Sequence, residues 1–293
     1  MAGDIDFVKG HGTENDFVLL PDPDARLDLT DERVRALCDR HRGLGGDGVL
    51  RVLPTERVAD LLPDVPADAV AGSESDWFMD YRNADGSIAE MCGNGVRVFA
   101  RYLVTAGLAD AGTFLIGTRA GDKAVVVPAG DPDGTVTVDM GPATVTGRSN
   151  ATLAGRIFPG VTVDVGNPHL ACVFDRRTVD VADLDLTEAP GHDTAVFPHG
   201  VNVEFVNDLA PGTLRMRVHE RGVGETRLCG TGTVAVVAAG LHLAGETSGE
   251  RTVLVPGGQV VVTVDEDGST LTGPAVLVAT GRLSSDWWRE AAK

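Results

Sequence analysis

The strongest constraint on this chain is that one stretch of it occurs twice. MDYRNADGSIAEMCGNGVRVFARYL, from Met79 to Leu103, aligns without a gap to MRVHERGVGETRLCGTGTVAVVAAG, from Met216 to Gly240. In both copies a Met lies thirteen residues before a Cys, and a polar residue (Asn83, Glu220) lies nine before it. In both, Cys-Gly-x-Gly leads into a helical run. GTENDFVLL and DVGNPHLACVF correspond in the same way, with Asn15 and Asn167 each preceding a strand-like segment. Self-similarity of this kind marks a duplicated structural unit. The expected fold is therefore α+β: two pseudosymmetric α/β halves, each a mixed or antiparallel sheet curled around a central helix, with the active site in the cleft between them. The halves are expected at 1–137, joined by a C-terminal strand at about 276–293, and at 138–275.

The local pattern fills in this plan. FVLL (17–20) reads as a strand, and Thr30 N-caps a helix running to about His41. VLRVL follows as a strand, while Pro54 to Asp76, rich in Pro, Asp and Ala, reads as a surface loop. WFMDYR is a strand, CGNG opens a helix through about Ala106, and FLIGT, KAVVVP and TVTVDM follow as strands. The second half gives strands VTVDV and HLACVF, a segment VADLDL that is helical or irregular, and strands VNVEFV and LRMRVHE. A helix then runs from CGTG through about Ala244, and strands TVLVP, QVVVTVD and AVLVATGRL end the chain. GLGGDG (43–48) fits the dinucleotide pattern GxGxxG, but that fingerprint needs a strand before it and a helix after it. Here the order is reversed, so no nucleotide site is assigned.

Composition excludes several classes. A net charge of −18 argues against nucleic-acid binding, which needs clustered Lys and Arg on phosphates. The longest apolar run, Val234 to Leu243, is broken by Gly240 and His242 and is too short to span a bilayer. The N-terminus has no charged-then-apolar signal pattern, so a cytoplasmic protein is expected. The lysines are Lys9, Lys123 and Lys293, none in a convincing pocket motif, which argues against a pyridoxal-phosphate enzyme and its Schiff-base lysine. The cysteines (38, 92, 172, 229) form no CxxC or CxxH, so neither a disulfide framework nor a zinc site is expected.

Cys38 and Cys172 read as small buried apolar residues. Cys92 and Cys229 stand at the junction of a turn and a helix. A thiol there feels the positive end of the helix dipole, which should lower its pKa and expose a thiolate, and the free N–H groups around it form an anion site. One such Cys could be a capping-region residue, but two in equivalent positions of a repeat call for a shared role. Inverting a stereocentre without a cofactor needs a base on one face of the carbon and an acid on the other, with their titrations coupled. Both helix N-termini can serve the carboxylate where charge builds in the carbanion-like transition state.

KGHGTENDFV (9–18), DRHRGLGGDG (39–48), YRNADGSIAEMCGNGVR (81–97), VGNPH (165–169), VNVEF (201–205), ERGVGETRLCGTG (220–232) and LTGPAV (271–276) together resemble the diaminopimelate epimerase family over nearly the whole chain. The resemblance implies a cofactor-free isomerase that interconverts LL- and meso-2,6-diaminopimelate, small molecules of lysine and peptidoglycan precursor synthesis, with a homodimer as the family-level expectation. It implies Cys92 and Cys229 as the catalytic pair and the amides of Gly93, Asn94, Gly230 and Thr231 as the clamp on the reacting carboxylate. Asn15, Asn83, Asn167, Asn202 and Arg221 are implied to fix the substrate, and His169 and Glu220 to lie near the thiols and the reacting amino group. Glu14 departs from the family, where Gly is commoner, and Gly48 stands where some members have a contacting Gln.

A proline or hydroxyproline racemase of the same architecture would share the paired thiols but would not use the distal-end set around Arg221. A cysteine hydrolase built on His169 or His219 would leave the second thiol idle. A redox pair would consume reductant on turnover.

Overall fold

The computed structural model describes residues 4–65, 70–130 and 134–292. The chain divides into two compact units, Met1–Val138 with Pro274–Lys293, and Asp139–Gly273.

The first unit opens with strands β1 (Ile5–Gly12) and β2 (Asn15–Pro21), an antiparallel hairpin in which Gly12 pairs with Asn15. The two loop residues, Thr13 and Glu14, both have positive φ (54° and 61°), which matches the twist of a two-residue hairpin. Helix α1 (Asp31–Cys38) follows, its first turn capped by the Thr30 hydroxyl, which accepts from Arg33 N. Strands β3 (Gly48–Pro54) and β4 (Trp77–Asn83) come next. β2 and β3 pair in parallel, and Phe17 to Leu20 are fully buried, as strands covered on both faces require. After β4, a longer helix runs from Gly93 to Thr105, then antiparallel strands β5 (Gly112–Ile116), β6 (Lys123–Val127) and β7 (Thr135–Asp139). The chain's last strand, Val276–Leu283, pairs antiparallel with β1. The helix at Gly93–Thr105 is buried without a break from Gly93 to Arg101 and packs against strands on several sides, so it is the central helix of the unit.

The second unit repeats this order. Strands β8 (Thr144–Leu153) and β9 (Arg156–Asp164) form a hairpin; β9 pairs antiparallel with β10 (Pro168–Phe174), as β1 does with β2. β11 (Gly191–His192) borders β8. β10 pairs in parallel with β12 (Asn202–Ala210), and β12 antiparallel with β13 (Thr213–Glu220), as in β2–β3–β4. The short β14 (Gly224–Thr226) borders β13. A central helix, Gly230–Ala244, then leads to antiparallel β15 (Gly249–Val255), β16 (Gly258–Val264) and β17 (Ser269–Pro274). The pairing types match in these ladders; β13 also pairs in parallel with β15, where the first unit has the single parallel bridge Phe78–Gly117. Each unit also gains an outer antiparallel strand, β8 on β9 and the chain's last strand, β18, on β1. Below, α3 denotes the Gly93–Thr105 helix and α4 the Gly230–Ala244 helix, with Val58–Leu61 as α2.

Three expectations change. The stretch Pro54–Asp76 is not a plain surface loop: a 3-10 turn (Thr55–Arg57) and α2 place Val58, Leu62 and Val65 in a cluster with Leu53 and Phe78. Burying each of these side chains stabilises by about 1.5–3 kcal/mol, which outweighs the weak local periodicity. Residues 66–69 of that stretch lie outside the described residues. The strand expected at 276–293 ends at Leu283, and Ser284 caps a short helix α5 (Ser285–Glu290) by accepting from Trp287 N; Trp288 is buried, with the Arg33 guanidinium 4.9 Å from its ring centre. Lys293 is outside the described residues. Strands β8 and β17 went unread in the sequence. β8 is largely exposed and alternates buried with exposed residues only at its end, from Asn150 to Leu153, while Ser269 and Gly273 take inward positions of β17 where large apolar residues would have signalled a strand.

Candidate active site

Cys92 is the N-cap of α3 (φ −142°, ψ 116°), and Val96 N donates to its carbonyl to close the first turn. The backbone N–H groups of Gly93, Asn94 and Gly95 therefore have no carbonyl four residues back to bond with. Gly95 lets the helix seat closely: a Cβ there would lie 3.2 Å from Leu50 and 3.6 Å from the Cys92 Cβ. The Asn15 carbonyl oxygen receives the Asn94 amide at 3.0 Å and the Cys92 thiol at 3.7 Å. Asn15 in turn donates to Asp47 at 2.7 Å, and Arg40 ties Asp47 to Asp16. Behind this network lies Arg97, fully buried, whose Nη2 donates to Asn94 Oδ1 (3.0 Å) and Thr13 Oγ1 (2.9 Å). Its Nη1 has no hydrogen-bond partner among the described residues. Burial pulls the guanidinium down to about 10, opposed by the Cys92 sulfur, so it remains a cation at neutral pH.

Cys229 caps α4 in the same conformation (φ −111°, ψ 116°), with Thr233 N on its carbonyl. Its surroundings differ. His169 on β10 is fully buried, with Nδ1 2.6 Å from Glu204 Oε1 and Nε2 2.9 Å from Asn167 Oδ1. Asn167 Nδ2 donates to Thr231 Oγ1 at 3.4 Å, and Thr231 Oγ1 lies 3.5 Å from the Cys229 sulfur. Burial raises the Cys229 thiol well above its ordinary range, and the Glu220 and Glu204 carboxylates add to the rise. For Cys229 this corrects the expectation of a lowered thiol: at a buried helix start, the lost hydration of the thiolate outweighs the helix dipole.

Asn202 begins β12 and accepts from Arg221 N at 2.9 Å. Glu220 ends β13 and accepts from the Thr226 hydroxyl. The Arg221 guanidinium donates to the His199 carbonyl at 3.2 Å and pairs with no carboxylate among the described residues. Asn83 ends β4 at the position equivalent to Glu220, but its side chain donates to Ser87 Oγ (3.0 Å) within its own turn and does not join the Asn15–Asn94 network. Cys38 and Cys172 are buried, with thiols pushed up to about 12 by burial. Lys9 is held by Asp16 and the Gly45 carbonyl. No helix among the described residues is long and apolar enough to cross a membrane.

Asp47, Arg97 and Glu204 were not singled out from the sequence. Glu204 did leave a signal, since a carboxylate flanked by Val203 and Phe205 in the strand-like VNVEFV is seldom buried without a partner.

A family model described as Diaminopimelate epimerase matches residues 7–146 and 161–282. A diaminopimelate epimerase of Rhodococcus jostii (strain RHA1) is 58% identical over 98% of this chain and 100% of its own length. One from Mycolicibacterium paratuberculosis is 55% identical, covering 98% of this chain and 99% of the relative. Among solved structures, a phenazine biosynthesis protein of the PhzF family from Bacillus anthracis has a TM-score of 0.67 at 16% identity, over 96% of this chain and 99% of that one. A hydroxyproline epimerase from Agrobacterium vitis gives 0.65 at 16% identity, over 97% and 93%. These last two share the fold, a duplicated α/β architecture.

Proposed function

Because the chain belongs to the diaminopimelate epimerase family, we propose that it interconverts LL- and meso-2,6-diaminopimelate by a two-base mechanism in which Cys92 and Cys229 carry the protons. The observation that carries this reading is the repeated helix start: two cysteines occupy the N-cap positions of the two central helices at the same topological step of two equivalent units.

Inversion requires one side chain on each face of the α-carbon. A thiolate removes the α-proton, the electron pair left on carbon delocalises into the carboxylate, and the opposite thiol delivers its proton. Substrate and product have the same composition, and the two sulfurs have exchanged protonation states. The amides of Gly93 and Asn94, and of Gly230 and Thr231, offer donors to the carboxylate where charge accumulates. Asn15, Asn83, Asn167 and Asn202 orient the substrate, with His169 and Glu220 beside the reacting amino group. Arg221 suits the distal carboxylate: it pairs with no carboxylate among the described residues, and beyond its bond to the His199 carbonyl its guanidinium has donors left for one. The chemistry asks for no cofactor. The reading places the protein in the cytoplasm, in lysine and peptidoglycan precursor synthesis, as a homodimer.

Incubation with LL-diaminopimelate in D2O under reducing conditions tests it. The expected result is meso product carrying deuterium at the inverted α-carbon. Inversion of proline or hydroxyproline in its place would favour the racemase reading, and absence of both activities would sink the isomerase reading.

A further inference from the structure

Glu204 belongs to neither copy of the repeat, yet it is completely buried beside Cys229. It sits on β12, where every residue from Asn202 to Asn207 is buried. Its Oε1 lies 2.6 Å from His169 Nδ1, and its Oε2 has no hydrogen-bond partner among the described residues. A Cβ at Gly232 would come within 2.8 Å of Glu204 Oε1 and 3.4 Å of the Cys229 sulfur, so glycine there lets the carboxyl and the thiol share the first turn of α4. The titratable groups facing Glu204 are His169 and Cys172 from β10, Glu220 from β13 and Cys229 from α4.

Protons can be counted from the contacts. The Asn167 carbonyl oxygen only accepts, so His169 Nε2 carries a hydrogen. The 2.6 Å contact at Nδ1 needs one more, owned by the ring or by Glu204. A carboxylate has lone pairs on both oxygens that want donors, and Oε2 has none; Glu220 nearby adds repulsion. We propose that Glu204 is a neutral carboxylic acid in the working protein, a positioning residue whose O–H donates to His169 Nδ1 and fixes the ring as its Nε2–H tautomer. Burial pushes the Glu204 carboxyl above the ordinary range, with His169 opposing the rise.

The consequence is directional. His169 Nε2–H donates to Asn167, Asn167 Nδ2 donates to Thr231, and the Thr231 hydroxyl is left to donate to the Cys229 sulfur. Every donor in the chain points toward sulfur, as a thiolate formed there during turnover requires, and donors in series reinforce one another. Neutrality of Glu204 also removes one of the two anions that oppose that thiolate.

The kinetic part of the test rests on the epimerase reading; the spectroscopic part does not. In Glu204→Gln the amide N–H replaces the acid O–H, so kcat should stay within about fivefold of wild type. Glu204→Met leaves Nδ1 without a donor, and kcat should fall about tenfold to a hundredfold with KM for diaminopimelate held. On the intact wild-type chain, 15N spectra should show His169 with one protonated nitrogen, and the infrared difference against Glu204→Gln should contain a carboxylic-acid carbonyl band. Two matching protonated ring nitrogens, or no such band, would overturn the proposal whatever the turnover. So would a Glu204→Gln loss as large as that of Glu204→Met. If Glu204→Met does not fold, the spectra and the Gln variant decide.

Discussion

The two helix starts share a backbone and differ in what stands behind the sulfur. Cys92 is partly accessible, capped through an asparagine network, and backed by the buried Arg97 cation. Cys229 is buried and backed by a histidine–carboxyl pair, with Glu220 adding negative charge. Five residues after each Cys, the same helical position holds Arg97 in one unit and the fully buried Val234 in the other. Duplication thus supplied matching geometry, and divergence at single positions gave unequal electrostatics. A reaction that needs one thiol and one thiolate at a time is served by that inequality.

The comparison can be broken at the sulfurs themselves. Cys92→Ala and Cys229→Ala should each lower epimerisation by about 10²–10⁴-fold, the usual worth of a positioned acid or base. If either variant turns over at near wild-type rate, the equivalence of the two starts has no catalytic meaning. A smaller loss is expected from Arg97→Val, which copies the second unit into the first. Stranding Asn94 and Thr13 should cost about 1–3 kcal/mol in denaturant unfolding, and unchanged stability would mean that the buried cation is not structural.

Alkylation sharpens the electrostatic half of the contrast. At pH 8, iodoacetamide should modify Cys92 before Cys229, since the buried Cys229 thiol holds its proton as pH rises. Glu220→Gln removes an anion that opposes ionisation, so Cys229 labelling should speed up at fixed pH, read by peptide mass spectrometry. A slower rate in that variant would reverse the sign assigned to Glu220. The smallest effect belongs to the β1–β2 turn. Glu14 holds a left-handed conformation (φ 61°) that costs a side-chain-bearing residue about 1 kcal/mol, so Glu14→Gly should raise the melting temperature by a few degrees. A lower melting temperature would mean that contacts of the Glu14 side chain outweigh the strain.

Much of this was open to reading in the chain. The gapless repeat located both N-caps to the residue, because Cys-Gly-x-Gly followed by an apolar run is a local helix-start pattern. Asn15 and Asn167 were legible in the same way, each preceding a strand inside the repeat, whereas His169 was implied only by the family resemblance. What escaped was decided by packing across sequence distance. Within the 54–76 stretch, Val58, Leu62 and Val65 pack on Leu53 and Phe78, which local periodicity does not include. Arg97 looked like one more helical arginine until the fold enclosed it beneath Thr13 and Asn94.

By itself, then, the sequence determined that two equivalent units exist, that each sets a cysteine at the head of a central helix, and which family the chain joins. These are matters of order and spacing along one strand of atoms. Only the tertiary structure decided that one thiol is backed by a cation and the other by a histidine–carboxyl pair. Electrostatic environment depends on distance through space and on excluded water. Neither is written in the spacing of Arg97 from Cys92 or of Glu204 from Cys229.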